Sequence, residues 1–397
     1  MINIALTGLT GYGAHFLESL LEGEEKGFRL AAVVSRNAKK SEYYEELVHR
    51  NVKLYSDLEN CLKENEIQLV LVTTPMHIHY KEVMTALKYG ANVYCEKPLA
   101  PTIQECIKIR QFAEEQNRIV AVGFQWSFSE GICKLKDEIL SGKYKRIKRI
   151  KAMACLNRKK SYFEGSAWKG KWQLENGQYI LESVMSNCAV HFLHNLFFLA
   201  GETMEQSAQL TRLEGEGYQA HHVEGYDTVF IRMQTKQEIE LLYYATMVAE
   251  EQKTPMFEVE LEEATVTYPV GDEKCIELRT KDGEVRHYPC PDIDRFIHYQ
   301  KVVKAIQTGE NVVCDVTTVM PEVIAVNAMA EAVPVRRFEE EMIEENETDI
   351  YVKGIAEVLE KCYQSNSLPF EMNMSFSKGK YQINTTNYVE FQGGKVQ

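Results

Sequence analysis

The stretch TGLTGYGAHF, residues 7–16, decides how the chain folds. Before it lies an apolar run of strand character, INIALT (2–7), and after it an amphipathic segment, GAHFLESLLEG (13–23). Gly8, Gly11 and Gly13 therefore fall between a strand and the N-terminus of a helix. Glycines at such a turn let the backbone come close to a pyrophosphate, while the free N–H groups and dipole of the helix attract its charge. The spacing departs from G-x-G-x-x-G: Gly8 and Gly13 hold the outer positions, and Thr10 stands where the middle glycine belongs. Because the turn is the first strand–helix junction, Gly8, Thr10, Gly11, Tyr12 and Gly13 are the expected dinucleotide contacts.

The same grammar continues downstream. RLAAVVS (29–35), VKLYS (52–56), IQLVLVTT (67–74), NVYC (92–95) and RIVAVGF (118–124) alternate with helical segments such as YKEVMTALKYG (80–90). Strands without a polar face, separated by helices, predict a parallel sheet covered on both sides. Residues 1–123 are thus expected to form a doubly wound α/β domain of Rossmann type. Beyond 124 the pattern changes to long alternating strands, among them RIKRIKAMACL (146–156), EIELLYYATM (238–247) and FEVELEEATVTYP (257–269), joined by hairpin-like turns. This predicts a largely antiparallel α+β sheet domain carrying helices over 124–335. Residues 336–397 read as an extension packed on or trailing from it, with an appended helix and a loosely ordered polar end.

The chain has 397 residues, 45% hydrophobic and 26% charged, with a net charge of −13. That charge argues against nucleic acid or an anionic membrane as partner. The basic run KYKRIKRIK (143–151) alternates with isoleucine and reads as an exposed strand face. No apolar run is long enough for a bilayer, and MINIALTGLTGYG lacks the basic start of a signal peptide, so a cytoplasmic protein is expected. The ten cysteines are scattered singly, which predicts reduced thiols and no metal site.

Three further strand ends carry chemistry. The second ends in Ser35-Arg36 where an acid would read the ribose hydroxyl of NAD; a hydroxyl and a guanidinium suit a 2′-phosphate. The cofactor is therefore NAD or NADP, with this end favouring NADP. The fourth ends in TTPMHIHY (73–80), placing Thr74, Pro75 and His79 at the expected cofactor crevice. His77 and His79 lack the partners that a zinc site would need. The fifth ends in Glu96-Lys97-Pro98, and TIQE (102–105) then has the form of a helix capping box. A lysine fixed beside a proline at this rim is placed to move a proton or polarise a substrate oxygen.

TGLTGYGAH, TTPMHIHY, CEKPLA and AVGFQWSF, in this order and spacing, resemble the Gfo/Idh/MocA oxidoreductase family. The resemblance implies NAD(P), a carbohydrate or polyol substrate, and an open sheet used for homo-oligomerisation as a dimer or tetramer. It also implies a cis peptide before Pro98 and substrate contact by Lys97, with Glu96 near the cofactor and Gln125 near the substrate. The family's second motif, Asp-x-x-x-His, corresponds to Asn187 and His191 in LESVMSNCAVHFLHNLFFLAG (181–201). Four residues apart on a helix, the two would share a face. Asparagine orients a hydroxyl but carries no proton, so His191 and Lys97 are left to handle it. Upstream, Trp168 and Glu182 lie in SYFEGSAWKGKWQLENGQYILES (161–183), whose aromatic faces and polar groups suit a sugar ring.

The sequence thus predicts an NAD(P)-dependent oxidoreductase acting on a secondary alcohol of a sugar, polyol or related cyclic substrate. Two alternatives keep the fold: a redox-neutral glycosidase or epimerase with tightly held NAD, and a non-catalytic NAD(P)-binding regulator.

Overall fold

The computed structural model describes residues 1–9, 11–292 and 296–394; the expected contact Thr10 lies outside them. The chain divides into two compact units. The first comprises Met1–Ala100, Gln104–Phe128 and a later stretch ending at Val319 that contains the helix Ile297–Thr308. It is built on six parallel strands: β1 Ile2–Thr7, β2 Phe28–Val34, β3 Lys53–Tyr55, β4 Leu69–Val72, β5 Asn92–Cys95 and β6 Val120–Val122. Their order is β3-β2-β1-β4-β5-β6. The helices α1 Tyr12–Leu21, α2 Tyr44–His49, α3 Leu58–Glu64, α4 Met76–Lys88 and α5 Ile103–Gln116 connect successive strands, and α6 Gln125–Phe128 follows β6. All four residues of β4 are buried, as are the three of β6, because helices cover both faces and leave no polar side.

The unit does not end where the strand pattern ends. Phe16 of α1 stacks on His298 at 5.6 Å and meets Tyr299 at 5.8 Å, and the Tyr299 hydroxyl lies 2.5 Å from Ser19 Oγ. The backbone N–H of Val122 also bonds to the carbonyl of Cys314. The boundary expected at 123 thus differs from this unit, whose core is completed by residues about 170 positions downstream.

The second unit contains α7 Glu130–Leu140, β7 Ile147–Cys155, the short helix α8 Lys160–Phe163, a π-helical turn Val184–Cys188 and α9 Val190–Leu199. Seven strands follow: β8 Leu210–Gln219, β9 Thr228–Thr235, β10 Glu240–Thr246, β11 Met256–Leu261, β12 Ala264–Val270, β13 Cys275–Thr280 and β14 Val285–Tyr288. Labelling the helix Ile297–Thr308 as α10, the chain re-enters this unit along α11 Val316–Ala332. The remainder is β15 Val335–Arg337, the hairpin β16 Ile343–Glu345 and β17 Ile350–Val352, α12 Ile355–Ser365 and β18 Tyr381–Asn384.

The large sheet runs β14-β13-β12-β11-β7-β10-β9-β8-β15, antiparallel except where β10 lies parallel to β7 and β15 parallel to β8. The basic run alternates as expected, with Lys143, Lys145, Arg146 and Lys148 exposed and Ile147 and Ile150 buried, and it leads into β7 at the centre of this sheet, where Lys151 is buried. Its charges are met by carboxylates on neighbouring strands: Lys151 by Glu258 at 3.2 Å and Arg149 by Glu260 at 3.1 Å.

Residues 336–384 form more regular structure than their polar composition predicts. β15 pairs with Gly217–Gln219 of β8, and β18 pairs with Arg212–Gly215 of the same strand, so together they close its outer edge. Ile355, Leu359 and Cys362 of α12, with Phe338, Leu368 and Phe376, pack on Met153, Tyr218, Phe230, Leu242 and Tyr244 of the sheet. The acidic run FEEEMIEENETD conceals that signal, because the apolar residues that do the packing are spaced among charges.

Candidate functional site

In the first unit, the C-terminal ends of β1, β4 and β5 meet at one rim. Gly8 has φ +90° and Gly11 φ +61°, backbone states that L side chains rarely adopt. Gly13 is required by proximity: a Cβ there would come within 2.5 Å of Thr73 Oγ1 and 2.6 Å of the Gly8 carbonyl oxygen. Helix α1 has no side-chain cap and no acidic residue in its first turn, so its leading N–H groups are suited to an anion. Tyr12 opens this helix, and its hydroxyl lies 3.4 Å from Gln125 Oε1, joining two of the expected contacts within the unit.

The exits of β1 and β4 are tied together through side chains. Thr73 Oγ1 donates to the Thr7 carbonyl at 2.6 Å, and both Thr7 Oγ1 and Thr74 Oγ1 donate to Glu82 Oε2 at 2.8 Å. Burial raises the Glu82 carboxyl above its ordinary pKa, while the two hydroxyls oppose the shift. Pro75 then caps α4. His79, one turn into that helix, is 1% exposed. Its Nδ1 and Nε2 each stand 2.7 Å from a backbone carbonyl oxygen, those of Pro98 and Thr74 respectively. Expected as a cofactor contact, His79 is a strut between the exit of β4 and the turn after β5, and burial holds its pKa down.

The turn after β5 contains a cis peptide between Lys97 and Pro98. Lys97 is half-buried. Glu96, also expected near the cofactor, is 7% exposed and accepts a 2.7 Å hydrogen bond from the Tyr94 hydroxyl. Burial pushes its carboxyl up to about 7 against the pull of Tyr94 and Lys97. Gly123 leaves room for this pair, since a Cβ there would lie 2.5 Å from the Tyr94 hydroxyl. At the end of β2, Ser35 Oγ accepts from the Asn37 N–H at 3.3 Å and Arg36 is exposed.

In the second unit, Asn187 and His191 do not lie on one continuous helix. Asn187 belongs to the π turn, which Ser183 and Ser186 cap reciprocally, while His191 belongs to α9. Between them Ala189 has φ −119° and ψ 12°, outside helical geometry. The i,i+4 expectation fails because the turn is π-helical, a form often found at functional sites. Asn187 Nδ2 donates to Tyr162 Oη at 2.8 Å and to Glu182 Oε1 at 3.2 Å. Glu182 is 1% exposed, and its Oε2 accepts the Gly170 N–H at 2.8 Å.

Burial raises the Glu182 pKa; Gly170, Asn187, Tyr162 and the charge of Lys169 oppose it. The Lys169 ammonium lies 4.0 Å from the centre of the Tyr162 ring, and the Arg158 guanidinium 5.8 Å from it. His191 and Trp168 are half-buried. His194 is a buried core residue stacked on Phe198, its pKa pushed down to about 3 by burial and by the charge of Lys136. Arg158, Lys169 and Cys188 escape a sequence reading, although RKKSYF and AWKGKW, where cations flank aromatics, carry a trace of the first two. Among the described residues no group of three or more His, Cys, Asp or Glu is arranged to hold a metal ion.

The strand order, the glycine turn and the open N-terminus of α1 define the first unit as a dinucleotide-binding Rossmann domain. Residues 2–124 match the family model described as the Gfo/Idh/MocA oxidoreductase family, NAD-binding Rossmann fold. The likeness to that family is carried by this domain, residues 2–124.

An uncharacterized oxidoreductase of Schizosaccharomyces pombe is 25% identical over 213 residues, covering 53% of this chain and 56% of that protein. Inositol 2-dehydrogenase of Serratia proteamaculans is 33% identical over 118 residues, 30% of this chain and 35% of that enzyme. The matched stretch thus spans about half or less of these relatives. Among solved structures, the WlbA dehydrogenase of Bordetella pertussis, in complex with NADH and UDP-GlcNAcA, aligns with a TM-score of 0.67 and 15% identity. That alignment covers 82% of this chain and 94% of that one. An aldose-aldose oxidoreductase of Caulobacter crescentus aligns with a TM-score of 0.66 at 15% identity, over 83% and 96% of the two chains. These likenesses establish a shared fold across both units.

Proposed function

We propose that the chain is an NAD(P)-dependent oxidoreductase that exchanges a hydride with a secondary alcohol of a sugar, polyol or related cyclic substrate. The observation that carries this reading is Lys97, half-buried at the rim of the parallel sheet in a turn braced by His79. The glycine turn and α1 would hold the pyrophosphate, and Ser35 with Arg36 would favour a 2′-phosphate, hence NADP, over a bare ribose hydroxyl. The bound nicotinamide supplies the hydride acceptor or donor. Lys97 would polarise the reacting oxygen, with Gln125, Trp168, Asn187 and His191 orienting the substrate and His191 available to exchange its proton.

Replacing Lys97 with Ala is expected to remove turnover on a sugar and polyol panel at least a hundredfold, followed by nicotinamide absorbance, while dinucleotide affinity stays within about threefold. Unchanged turnover would reject the assignment. The redox-neutral alternative finds support in one relative, the 2,7-anhydro-N-acetylneuraminate hydratase of Mediterraneibacter gnavus, 29% identical over 141 residues. It predicts dinucleotide that survives purification and no net change in its redox state during turnover.

A further inference from the structure

We propose that Glu182, in place of His191, is the proton acceptor of the second unit, that Tyr162 relays to it the proton of the substrate hydroxyl, and that His191 orients the substrate. The inference deepens the oxidoreductase reading and rests on it. Asn187 is an amide and accepts no proton at neutral pH. A carboxylate lies directly behind it in the hydrogen-bond network: Asn187 Nδ2 reaches both Tyr162 Oη, at 2.8 Å, and Glu182 Oε1, at 3.2 Å. Tyr162 Oη is itself 3.4 Å from Glu182 Oε1, with the tyrosine as donor.

The amide therefore orients the pair. By donating to the phenol oxygen it leaves the phenol O–H directed at the carboxylate. Exposure fixes the route. Glu182 is 1% exposed, whereas Tyr162 and Asn187 are each partly exposed, and of those two only the hydroxyl passes a proton on. The remaining contact of Tyr162 Oη is the Cys188 thiol at 3.4 Å, a weak donor that a substrate hydroxyl can replace.

The charged and titratable groups around the relay are few. Lys169 lies over the Tyr162 ring and acts on Glu182; Arg158 lies near Tyr162 and Cys188; the Cys188 thiol is the third. Burial raises the Glu182 pKa, while the hydrogen bonds from Gly170, Asn187 and Tyr162 and the charge of Lys169 hold part of that rise back.

The step balances. The substrate O–H bond breaks and its proton passes to Tyr162 Oη as the phenol proton passes to Glu182 Oε1. The hydride on the same carbon leaves with two electrons to an oxidised nicotinamide, the co-reactant. The alcohol becomes a ketone and Glu182 a neutral acid; reduction runs the sequence backwards.

Two measurements on the full chain test this. Infrared difference titration without cofactor or substrate should show protonated carboxyls titrating above the ordinary range for Glu82, Glu96, Asp227 and Glu182, and Glu182→Gln should remove one such component and leave the others. A Glu182→Gln spectrum that loses no raised component, or loses one titrating in the ordinary range, overturns the proposal. On whichever panel substrate is oxidised, Glu182→Gln should lower kcat/KM at least about a hundredfold and remove its acidic limb, as should Tyr162→Phe, which keeps the ring. Adding Asn187→Asp to Glu182→Gln should recover at least tenfold, by supplying a carboxylate one position nearer.

A Glu182→Gln enzyme within threefold of wild type, with its acidic limb intact, also overturns the proposal. If no panel substrate is oxidised, the oxidoreductase reading fails by itself and the infrared titration still decides the state of Glu182.

Discussion

Two carboxyls show how residue chemistry outruns residue identity. Glu96 stands beside a lysine, and in the sequence the two look like a surface ion pair; in the fold its side chain turns inward to Tyr94 and burial raises its pKa to about 7. Asp227, fully buried and held by the Ala220 and His221 N–H groups, is also pushed up to about 7. A carboxyl whose folded pKa exceeds its unfolded one binds its proton more tightly when folded. Its contribution is therefore full at low pH and is lost as pH rises through the folded value.

Stability is thus expected to fall between roughly pH 5 and 7, by at most about 1.4 kcal/mol per pH unit for each group. Glu96→Gln should flatten one share of that slope in urea unfolding at pH 5, 6, 7 and 8; an unchanged slope would show that Glu96 titrates normally. The inward turn of Glu96 was not legible because its cause, the space left by Gly123, lies 27 positions away. The bracing of Lys97 by His79 was hidden in the same way, by 18 positions of sequence. The identity of Lys97 as the rim lysine was legible, because the strand before it is uniformly apolar and stops abruptly.

At the scale of elements, the six parallel strands were readable because burial on both faces leaves a continuous apolar signature, and β5 falls on its predicted residues. The π turn was not, because nothing in SVMSNCAVH distinguishes a five-residue hydrogen-bonded loop from an ordinary helical turn until Ser183 and Ser186 are seen capping it. Strand β18 was the other loss, and so was the packing of α12, although an appended helix was expected in that region. Their apolar residues sit in a polar tail, yet Leu359 is wholly buried against the large sheet. Leu359→Ala is expected to cost about 2–5 kcal/mol, read as a lowered urea midpoint with unchanged slope. A change of under about 0.5 kcal/mol would mean that α12 contributes little to the unit.

Across the whole molecule, the two compact units are not two consecutive lengths of chain. The first borrows α10 from far downstream, where His298 and Tyr299 pack on Phe16. A fragment of residues 1–128 is therefore expected to expose Phe16 and Phe28 and to melt at least 10 °C below the same unit in the full chain, by near-ultraviolet circular dichroism and calorimetry. Equal melting would show α10 to be dispensable. For the homo-oligomer that family resemblance implies, α12 and its neighbours already pack on β7, β8, β9, β10 and Met256 of β11, so a partner surface on this sheet is proposed on β12–β14. Net charge told little about this, because the acidic surplus is a property of the whole chain whereas Lys151 and Arg149 are neutralised strand by strand.

The closure of β8 by β18 has a consequence in time. Residues 381–384 complete that edge, and Phe338 to Phe376 complete the apolar cover of the sheet. All of them leave the ribosome after every strand they protect. During synthesis the second unit must wait, with Tyr218, Phe230 and Leu242 uncovered until Phe376 is made and one side of Arg212–Gly215 in β8 unpaired until Asn384 is made. A premature stop between Arg337 and Tyr381 would thus release a chain with its sheet built and its sticky edge open, a natural client for chaperones and proteases.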